Sequence, residues 1–210
     1  MLLYLIRHGE SAFNAEGRVQ GQLDTPLSPR GVRQSVAVAE QLRGQPIVAV
    51  YSSPLSRARQ TAEPLARALG VELRFDDRLK EINAGVFQGH TWPEIFERWP
   101  EAGAAWKSQD PDFRIPNGES RRDLMLRARA ALEAIRETGL PCVAIVAHGG
   151  ILTAGLKALL EVPAERNPFS LYNASISAVD WQTQFKLLTL NQLEHLTTQG
   201  DDLRTRTGDL

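Results

Sequence analysis

Apolar residues occur along this chain in two kinds of segment, short unbroken runs and longer amphipathic stretches. The runs at residues 2–6, 47–51 and 142–147 lack a helical period, which predicts strands that are buried on both faces. The stretches between them place apolar side chains at helical spacing, as Val32, Val36, Ala39 and Leu42 do. Strands that alternate with helices predict an α/β fold, a three-layer sandwich whose mainly parallel central sheet is covered by helices on both faces.

Serine and glycine mark the ends of the predicted helices. Ser-Pro pairs at residues 28–29 and 53–54 each offer an N-cap followed by proline at the first helical position, and Ser120 opens a third helix. Pro64 has no backbone N–H, so it predicts a kink or an early end of the second helix. The first three predicted helices span residues 28–44, 53–70 and 120–139, and a fourth follows His148-Gly149-Gly150 and runs to about Leu160. A hairpin of residues 175–181 and 185–191 comes after them.

One region breaks this alternation. Residues 83–118 contain no predicted strand, and several large aromatic side chains are concentrated there: Trp92, Phe96, Trp99, Trp106 and Phe113. This excursion over one edge of the sheet forms either a wall of a substrate pocket or a minor core or interface. Residues 1–196 are then a single domain with a cap-like segment, and the polar residues 197–210 form a loose tail.

Charge and cysteine content exclude several classes of protein. The 24 Lys and Arg residues balance 25 Asp and Glu residues for a formal net charge of -1, unlike a strongly basic nucleic-acid-binding protein. The single cysteine, Cys142, permits neither an internal disulfide nor a cysteine-based zinc cluster. The chain starts without a signal-peptide pattern and has no apolar run of roughly 18 residues, so we expect a soluble cytoplasmic protein without membrane or nucleic-acid partners.

Charged side chains follow the predicted strands at the points where the strands end. Arg7 and His8 come directly after the first strand, Arg57 lies in the first turn after the second, and His148 follows the third. Ligands of an open α/β sheet bind at the carboxyl ends of its strands, so these side chains converge if the strands are neighbours. Two guanidinium groups suit a dianionic phosphoryl group, and their charges keep a nearby imidazole neutral and able to attack phosphorus.

Each of these residues also has an ordinary structural explanation. A lone histidine after an apolar strand is more often a hydrogen-bonded structural residue than a nucleophile, so the prediction depends on the whole set meeting. Glu81, at an expected strand or loop end, is the candidate acid for the leaving group, but the acidic side chains within residues 72–77 compete for this role. His90 and His195 are predicted to be ordinary surface or loop residues, and Cys142 is predicted to pack in its strand.

Five segments resemble, in order and at compatible spacings, the motifs of the histidine phosphatase superfamily, which includes cofactor-dependent phosphoglycerate mutases and many small phosphatases. These segments are LIRHGES with Asn14, SSPLSRARQTAE, LKEINAGVFQG, PNGES and VAHGG. The resemblance spans residues 2–177 and implies a phosphoglycerate mutase-like fold. It implies that His8 becomes phosphohistidine, that Arg7, Arg57 and His148 bind the phosphoryl oxygens, and that Glu81 is the proton donor.

The resemblance also implies contacts to the substrate outside this central set. Asn14 matches a further phosphate donor, the Gln20-Gly21 turn is similar to the family's loop over the substrate, and Gly149 lies in the VAHGG motif. Three positions depart from the family pattern: Ser11 stands where threonine is common, and Ala84 and Phe87 interrupt an aromatic-Gly-x-Trp pattern. These departures affect the wall of the pocket rather than the chemistry.

Two features favour a phosphomonoesterase, in which water takes the phosphoryl group, over a mutase, in which another hydroxyl takes it. Residues 83–118 hold three basic and five acidic residues, whereas a mutase must bind a doubly phosphorylated carboxylate with several cations. The stretch between Glu81 and His148 is also short for the mutases that the family contains.

Two further alternatives have less support. A metal-dependent hydrolase would use His8, His148 and Glu81 as ligands, but Arg7 beside His8 would repel the metal. A non-catalytic phosphate-binding module would be expected to lack His8 or an arginine, and this sequence has both. We therefore expect neither metal nor cofactor, a small phosphorylated substrate, and a homodimer, if one forms, through the sheet edge at residues 47–51.

Overall fold

A six-stranded sheet forms the centre of the computed structural model, which describes residues 1–197. Its strands are β1 (Leu2–Arg7), β2 (Ala49–Ser52), β3 (Glu72–Phe75), β4 (Cys142–Ala147), β5 (Ile176–Trp181) and β6 (Phe185–Gln192). They lie in the order β3-β2-β4-β1-β5-β6, with β1 to β4 parallel and β5 antiparallel to both of its neighbours. The predicted mainly parallel sheet is confirmed.

Helices cover both faces of this sheet. They are α1 (Ala12–Glu16), α2 (Pro29–Gln41), α3 (Ser56–Leu69), α4 (Trp92–Arg98), α5 (Pro100–Lys107), α6 (Arg121–Glu137), α7 (Gly149–Leu159) and α8 (Glu194–Thr197). In β4, Ala144 and Val146 pack with residues of α2 and α3, whereas Val143 and Ile145 pack with residues of α6 and α7. Because both faces of β4 are buried, it is apolar at every position, and the three-layer prediction is confirmed.

Strand β3 was missed, and its presence moves the edge of the sheet. β3 pairs with β2 from Ala49 to Ser52, so β2 lies between β3 and β4 and has neighbours on both sides. The prediction that residues 47–51 form an edge through which a homodimer could assemble is therefore wrong. Glu72 and Arg74 put charges into a strand of four residues, and such a short, half-exposed edge has no apolar run to reveal it.

Helix α2 buries Ala39 and Leu42 as predicted, but it leaves Val32 and Val36 exposed. Val32 and Val36 are 50% and 47% exposed, while Ser35, Val38 and Leu42 are buried. Gly31, on the buried side, packs so closely against the backbone of Glu10 that a Cβ there would overlap the Glu10 carbonyl. The inner face is therefore built partly from small and polar residues, whose weak hydrophobic signal made the valines a misleading guide.

Helix α3 starts later than predicted and continues through its proline. Its first residue is Ser56, its N-cap is Leu55 without a side-chain cap, and its last residue is Leu69, so Pro64 does not end it. The prediction of an N-cap at Ser53 is wrong because the helix begins three residues after it; the Ser53 hydroxyl accepts from the Leu55 backbone N–H at 3.3 Å and also lies within hydrogen-bond distance of His148.

The cap-like segment at residues 83–118 contains no strand, as predicted, and its helices were not predicted. Helices α4 and α5 lie within it, and Ile95, Trp106 and Ile115 are buried in the same apolar cluster as the sheet residues Leu3 and Leu5. This segment is thus part of the main core, and Trp106 also lines a cavity described below.

The end of the chain is described only as far as α8. His195, predicted to be an ordinary surface or loop residue, is instead buried, with Nε2 lying 3.0 Å from the Ala174 carbonyl. Of the predicted tail at residues 197–210, all but Thr197 lies outside the described residues. Among the helices within residues 1–197, none combines the length and apolar character that crossing a bilayer requires.

Candidate active site

The carboxyl ends of β1 and β4 bring two histidines together. Arg7 in β1 lies beside Ala147 in β4, and the backbone N–H of His8 donates to the Ala147 carbonyl at 2.9 Å. His8 and His148 therefore leave adjacent parallel strands at the same edge of the sheet. Their buried rings meet edge to face, with centroids 5.1 Å apart.

Hydrogen bonding fixes which nitrogen of His8 carries the proton. Nδ1 lies 2.6 Å from the carbonyl oxygen of Gly9, and because a carbonyl can only accept, Nδ1 is the N–H donor. Burial lowers the pKa of His8 well below 6.5, and the charges of Arg57 and Arg7 lower it further. The imidazole is therefore neutral at pH 7, with its remaining lone pair on Nε2.

Arg57 in the first turn of α3 is a completely buried cation. Its Nη1 and Nη2 donate to the carbonyls of Leu23 at 2.9 Å and Gly21 at 2.7 Å, and its Nε donates to His148 Nδ1 at 3.2 Å. Burial lowers the pKa of Arg57 to about 10, while the nearby carboxylates of Glu81 and Asp24 raise it. Arg57 therefore stays charged at pH 7, and three of its five N–H groups hold it in place.

His148 is held between Arg57 and a serine that sequence reasoning did not assign to the site. Because Nδ1 accepts from Arg57, the proton of the neutral ring is on Nε2, which donates to Ser53 Oγ at 2.8 Å. Burial lowers the pKa of His148 well below 6.5, and the charge of Arg57 adds to this effect. The position of Ser53, directly after β2 at the carboxyl edge of the sheet, was the signal that could have identified it.

Arg7 completes the set of four. It is buried, and its Nη1 donates to the carbonyl of Leu171 at 2.6 Å. Gly149, the first residue of α7, lies so close that a Cβ there would be 3.5 Å from the Arg7 guanidinium group. The structure thus brings Arg7, His8, Arg57 and His148 to one place, as the strand-end argument predicts.

Glu81 reaches the same place from a loop and interacts with the start of α7. Its Oε2 accepts from the backbone N–H of Gly150 at 2.9 Å, and its Oε1 accepts from those of Ile151 at 3.1 Å and Ile82 at 2.8 Å. Of the two expected positions, a strand end or a loop end, the structure shows a loop, because Glu81 follows a short 3₁₀ turn at Asp77–Leu79 rather than a strand. Three backbone donors fix the orientation of the carboxyl group.

Arg127 on α6 fixes the backbone that carries Glu81. Its guanidinium group donates to the carbonyls of Arg78 at 2.9 Å, Lys80 at 2.6 Å and Glu81 at 3.2 Å. The same group pairs with both carboxylate oxygens of Glu119, one of which accepts the backbone N–H of Asn83. Sequence reasoning missed Arg127, because nothing in an amphipathic helix distinguishes an arginine that binds carbonyls from one that faces solvent.

Asn14 lies in a buried network next to His8. Its Oδ1 accepts from the Ser11 backbone N–H at 3.2 Å, in the capping box of α1, and from Asn173 Nδ2 at 3.1 Å. Asn173 also donates to the His8 carbonyl at 3.2 Å, so it ties Asn14 to the β1 loop. Asn173 was not predicted.

The Gln20-Gly21 turn is attached to this set through Arg57. The Gln20 side-chain oxygen accepts from the hydroxyls of Ser11 at 2.6 Å and Thr25 at 2.7 Å. Gly21 has a positive φ of 54°, and a Cβ there would overlap the side chain of Gln88, so glycine is required. Its carbonyl accepts from Arg57, so the turn contacts the cluster formed by Arg7, His8, Arg57 and His148.

A cavity of about 140 Å³ lies beside Glu81 and the start of α7. Its walls combine apolar side chains with polar and cationic ones. They are Glu81, Ile82, Trp106, Arg121, Leu124, Met125, Gly149, Gly150, Thr153, Ala154, Lys157, Asn167, Phe169, Ser170 and Leu171. For residues 83–118 the sequence left open a pocket wall or a minor core, and Trp106 belongs to both the cavity wall and the core. The cations of the cavity, by contrast, come from α6 and α7 and not from residues 83–118.

This origin of the cations weakens one argument drawn from the sequence. The excess of acidic over basic residues in 83–118 favoured a phosphatase, on the assumption that this segment alone provides the walls. Arg121 and Lys157 provide positive charge from elsewhere in the chain. The charge count of one segment is therefore not a guide to the charge of the cavity.

The metal-site alternative has no geometric support. Within residues 1–197, no three His, Cys, Asp or Glu side chains are grouped so that they could hold a metal ion. His8, His148 and Glu81 therefore do not form the ligand set that this alternative required.

Comparisons with known proteins agree with this architecture. A curated relative, "Probable phosphoglycerate mutase GpmB" of Escherichia coli O1:K1 / APEC, is 40% identical over 185 residues, covering 86% of this chain and 85% of that protein. A solved mycobacterial glucosyl-3-phosphoglycerate phosphatase is 34% identical with a TM-score of 0.81, over 90% of this chain and 98% of its own. Phosphoserine phosphatase from Entamoeba histolytica, solved in complex with 3-phosphoglyceric acid, is 28% identical with a TM-score of 0.84, and the match covers 93% of this chain and 98% of that one. The family model described as histidine phosphatase superfamily (branch 1) matches residues 3–192, and the chain belongs to that superfamily.

Proposed function

We propose that the protein is a phosphomonoesterase that passes the phosphoryl group of a small phosphate ester to His8 and then to water. The observation that carries this proposal is the state of His8, whose Nδ1–H donates to Gly9 while its lowered pKa keeps the ring neutral. Attack on phosphorus requires a neutral imidazole with a free lone pair, and Nε2 has it. The arginines supply the positive charge that a transferring phosphoryl group needs.

The reaction has two steps in this proposal. In the first, a bond forms from His8 Nε2 to phosphorus as the ester P–O bond breaks, and the leaving alkoxide takes a proton from the Glu81 carboxyl group. In the second, water attacks the phosphohistidine, its proton passes to the Glu81 carboxylate, and inorganic phosphate leaves a neutral His8. Neither step calls for a metal or an organic cofactor.

A phosphoglycerate mutase is the second candidate, because two observations favour it. The Escherichia coli relative carries that name, and Arg121 and Lys157 give the cavity the additional positive charge that a phosphoglycerate would need. The solved relatives named as phosphatases of glucosyl-3-phosphoglycerate and phosphoserine favour hydrolysis instead. Both reactions share the phosphohistidine and differ in what removes it.

Release of inorganic phosphate from a panel of phosphate monoesters, measured in EDTA, tests the proposal. A parallel assay follows conversion of 3- to 2-phosphoglycerate. We expect phosphate release that persists in EDTA with little interconversion. Interconversion without release would replace the phosphatase by the mutase, and loss of all turnover in EDTA would contradict both.

The nucleophile is tested separately with His8→Ala. We expect this variant to lose turnover and to lose the acid-labile, alkali-stable label that a ³²P-labelled substrate leaves on the wild-type chain. A melting curve of the variant, compared with that of the wild type, checks that the fold survives. Full activity in the variant would exclude His8 as the nucleophile.

A further inference from the structure

Two cations line the cavity beside Glu81 without a directly paired carboxylate among the described residues. Arg121 is the first residue of α6, Lys157 lies near the end of α7, and both line the cavity that Glu81 and Gly149 also line. Within residues 1–197, neither side chain forms a salt bridge, and the acidic groups that act on them, Asp110 and Glu165, do so only through space. The proposed catalytic steps use neither cation.

The guanidinium group of Arg121 is fixed in place but incompletely satisfied. It lies over the ring of Trp106, 3.4 Å from the ring centre. Its Nη1 atom is buried and has no hydrogen-bond partner among residues 1–197. Burial lowers the pKa of Arg121 to about 10, so the group is still charged at pH 7. A buried N–H donor without an acceptor is destabilising unless a ligand supplies the acceptor.

Lys157 adds a second positive charge at the same wall. It is 3% exposed, and its Nζ donates one hydrogen bond, to the Ala164 carbonyl at 2.8 Å. Burial lowers the pKa of Lys157, and the charge of Arg121 lowers it further. Two cations close enough to influence one another, neither of them in a salt bridge within residues 1–197, are an arrangement that a bound anion would stabilise.

Lys157 lies about two helical turns along α7 from the end of the helix that follows His148. Gly149, Thr153 and Lys157 follow one another at intervals of four residues, so they share one face of α7, and all three line the cavity. Eight residues at about 1.5 Å each put the Lys157 backbone roughly 12 Å along the helix from the end that meets Arg7. The walls between include Phe169 and Leu124, which suit a carbon skeleton.

We propose that Arg121 and Lys157 form a second anion site, which binds a carboxylate or a further phosphate at the end of the substrate remote from its reacting phosphoryl group. The inference rests on the proposed function, because the reacting group is taken to lie at His8. It narrows the substrate class to phosphate monoesters that carry a second anionic group. Arg121 and Lys157 are then specificity-determining residues rather than catalytic ones.

Matched substrate pairs test this inference directly. Glycerol 3-phosphate and 3-phosphoglycerate have three carbons each, and sorbitol 6-phosphate and 6-phosphogluconate have six; in each pair, only the second member has a carboxylate. Fructose 1,6-bisphosphate tests a phosphate as the second anion. We expect kcat/KM to be higher for the acid in at least one pair, or for the bisphosphate over fructose 6-phosphate, by about ten- to a hundred-fold, the range for a hydrogen bond between charged groups.

Arg121→Gln is the main variant, and Arg122→Gln is its matched control. Arg122 is the next residue of α6, but it pairs with Asp112 at the surface and does not line the cavity. We expect Arg121→Gln to lower kcat/KM far more for the anionic member of a pair than for p-nitrophenyl phosphate, which has no second anion. Arg122→Gln should keep the preference. If loss of the contact with Trp106 unfolds Arg121→Gln, Lys157→Met serves as the second variant. We expect it to reduce the preference for the anionic substrate in the same way.

The outcomes separate this inference from the proposed function. Equal losses for both members of every pair, equal effects of Arg121→Gln and Arg122→Gln, or no preference in the wild type would each overturn the second anion site. If the wild type releases phosphate from no ester, including p-nitrophenyl phosphate, the proposed function fails instead. In that case, calorimetry compares the affinity for 6-phosphogluconate with that for sorbitol 6-phosphate in the wild type and in Arg121→Gln. Tighter binding of 6-phosphogluconate that Arg121→Gln removes supports the second anion site, and equal affinities overturn it.

Discussion

Replacing Gly150 by alanine should displace the Glu81 carboxyl group while leaving the rest of the fold in place. Gly150 is the second residue of α7, and its backbone N–H donates to Glu81 Oε2 at 2.9 Å. A Cβ at this position would overlap Glu81 Oε1 and lie 3.1 Å from Glu81 Cδ, whereas ordinary contact begins near 3.4 Å. No other side chain is among the three nearest atoms, so the carboxyl group is what must move.

The size of the effect follows from this overlap. Relieving it requires the carboxyl group to retreat by on the order of 1 Å, and a misplacement of that size can cost about a hundred-fold in rate. A positioned general acid contributes about 10² to 10⁴, so a loss of about a hundred-fold lies within what Glu81 could supply. The free energy of unfolding should fall by only about 1 kcal/mol, because alanine gains up to about 1 kcal/mol over glycine in a helix while the two hydrogen bonds from α7 to Glu81 lose about 1 kcal/mol each.

The assay compares two leaving groups. An alkyl phosphate needs a proton on its departing oxygen, whereas the phenolate of p-nitrophenyl phosphate leaves without one. We expect Gly150→Ala to slow the alkyl ester about a hundred-fold and p-nitrophenyl phosphate far less, and Glu81→Gln to show the same selectivity. A thermal melt within a few degrees of the wild type confirms that the comparison is between folded proteins.

Two results would refute this reasoning. An unchanged rate on the alkyl ester would mean that the position of the Glu81 carboxyl group does not matter to the reaction. Equal slowing of both esters would mean that the displaced group acts on something other than the leaving oxygen, such as the Arg57 charge that it faces.

Two other predictions concern positioning and pH. Arg127→Met should lower kcat for alkyl esters more than it changes KM and should lower the free energy of unfolding by about 1–3 kcal/mol, because three carbonyls of the Glu81 loop lose their donor. Arg129→Met, at an exposed site of α6, is the control and should have neither effect. Equal effects of the two variants would contradict the role of Arg127 in positioning Glu81. Folding lowers the pKa values of His8 and His148 from 6.5, so below about pH 6.5 the unfolded chain binds protons that the folded chain does not. The free energy of unfolding therefore decreases as the pH falls from about 6.5 towards the lowered pKa values. The free energy of unfolding, measured with urea between about pH 5 and 7, should depend less steeply on pH in His148→Asn than in the wild type, by at most about 1.4 kcal/mol per pH unit. Identical pH dependences would exclude this linkage.

The strand ends were predictable because burial on both faces leaves an unmistakable apolar run. β1 and β4 lie within one residue of the runs at 2–6 and 142–147, and the residues that follow such strands must emerge at one edge. That is why Arg7, His8 and His148 could be expected to meet. Glu81 was less secure, since its place depends on a loop rather than a strand.

The supporting residues could not be predicted in the same way. Ser53 had an obvious local explanation as an N-cap, and only the position of His148 in three dimensions reveals its other use. Arg121 and Arg127 lie on an amphipathic helix, where arginine is an ordinary surface residue, and their burial depends on the loops packed above them. Strand β3 is too short and too charged to stand out, and missing it placed the sheet edge incorrectly.

The central position of β1 has a consequence for how the protein is made. Of the six strands, β1 comes first in the sequence, yet its neighbours β4 (Cys142–Ala147) and β5 (Ile176–Trp181) come after the other two parallel strands. The carbonyl that holds Arg7 belongs to Leu171, and the side chain that holds the His8 carbonyl belongs to Asn173. A nascent chain from which residues 142–181 have not yet emerged lacks both neighbours of β1, so we expect the candidate site around His8 to assemble only after these residues have been synthesised.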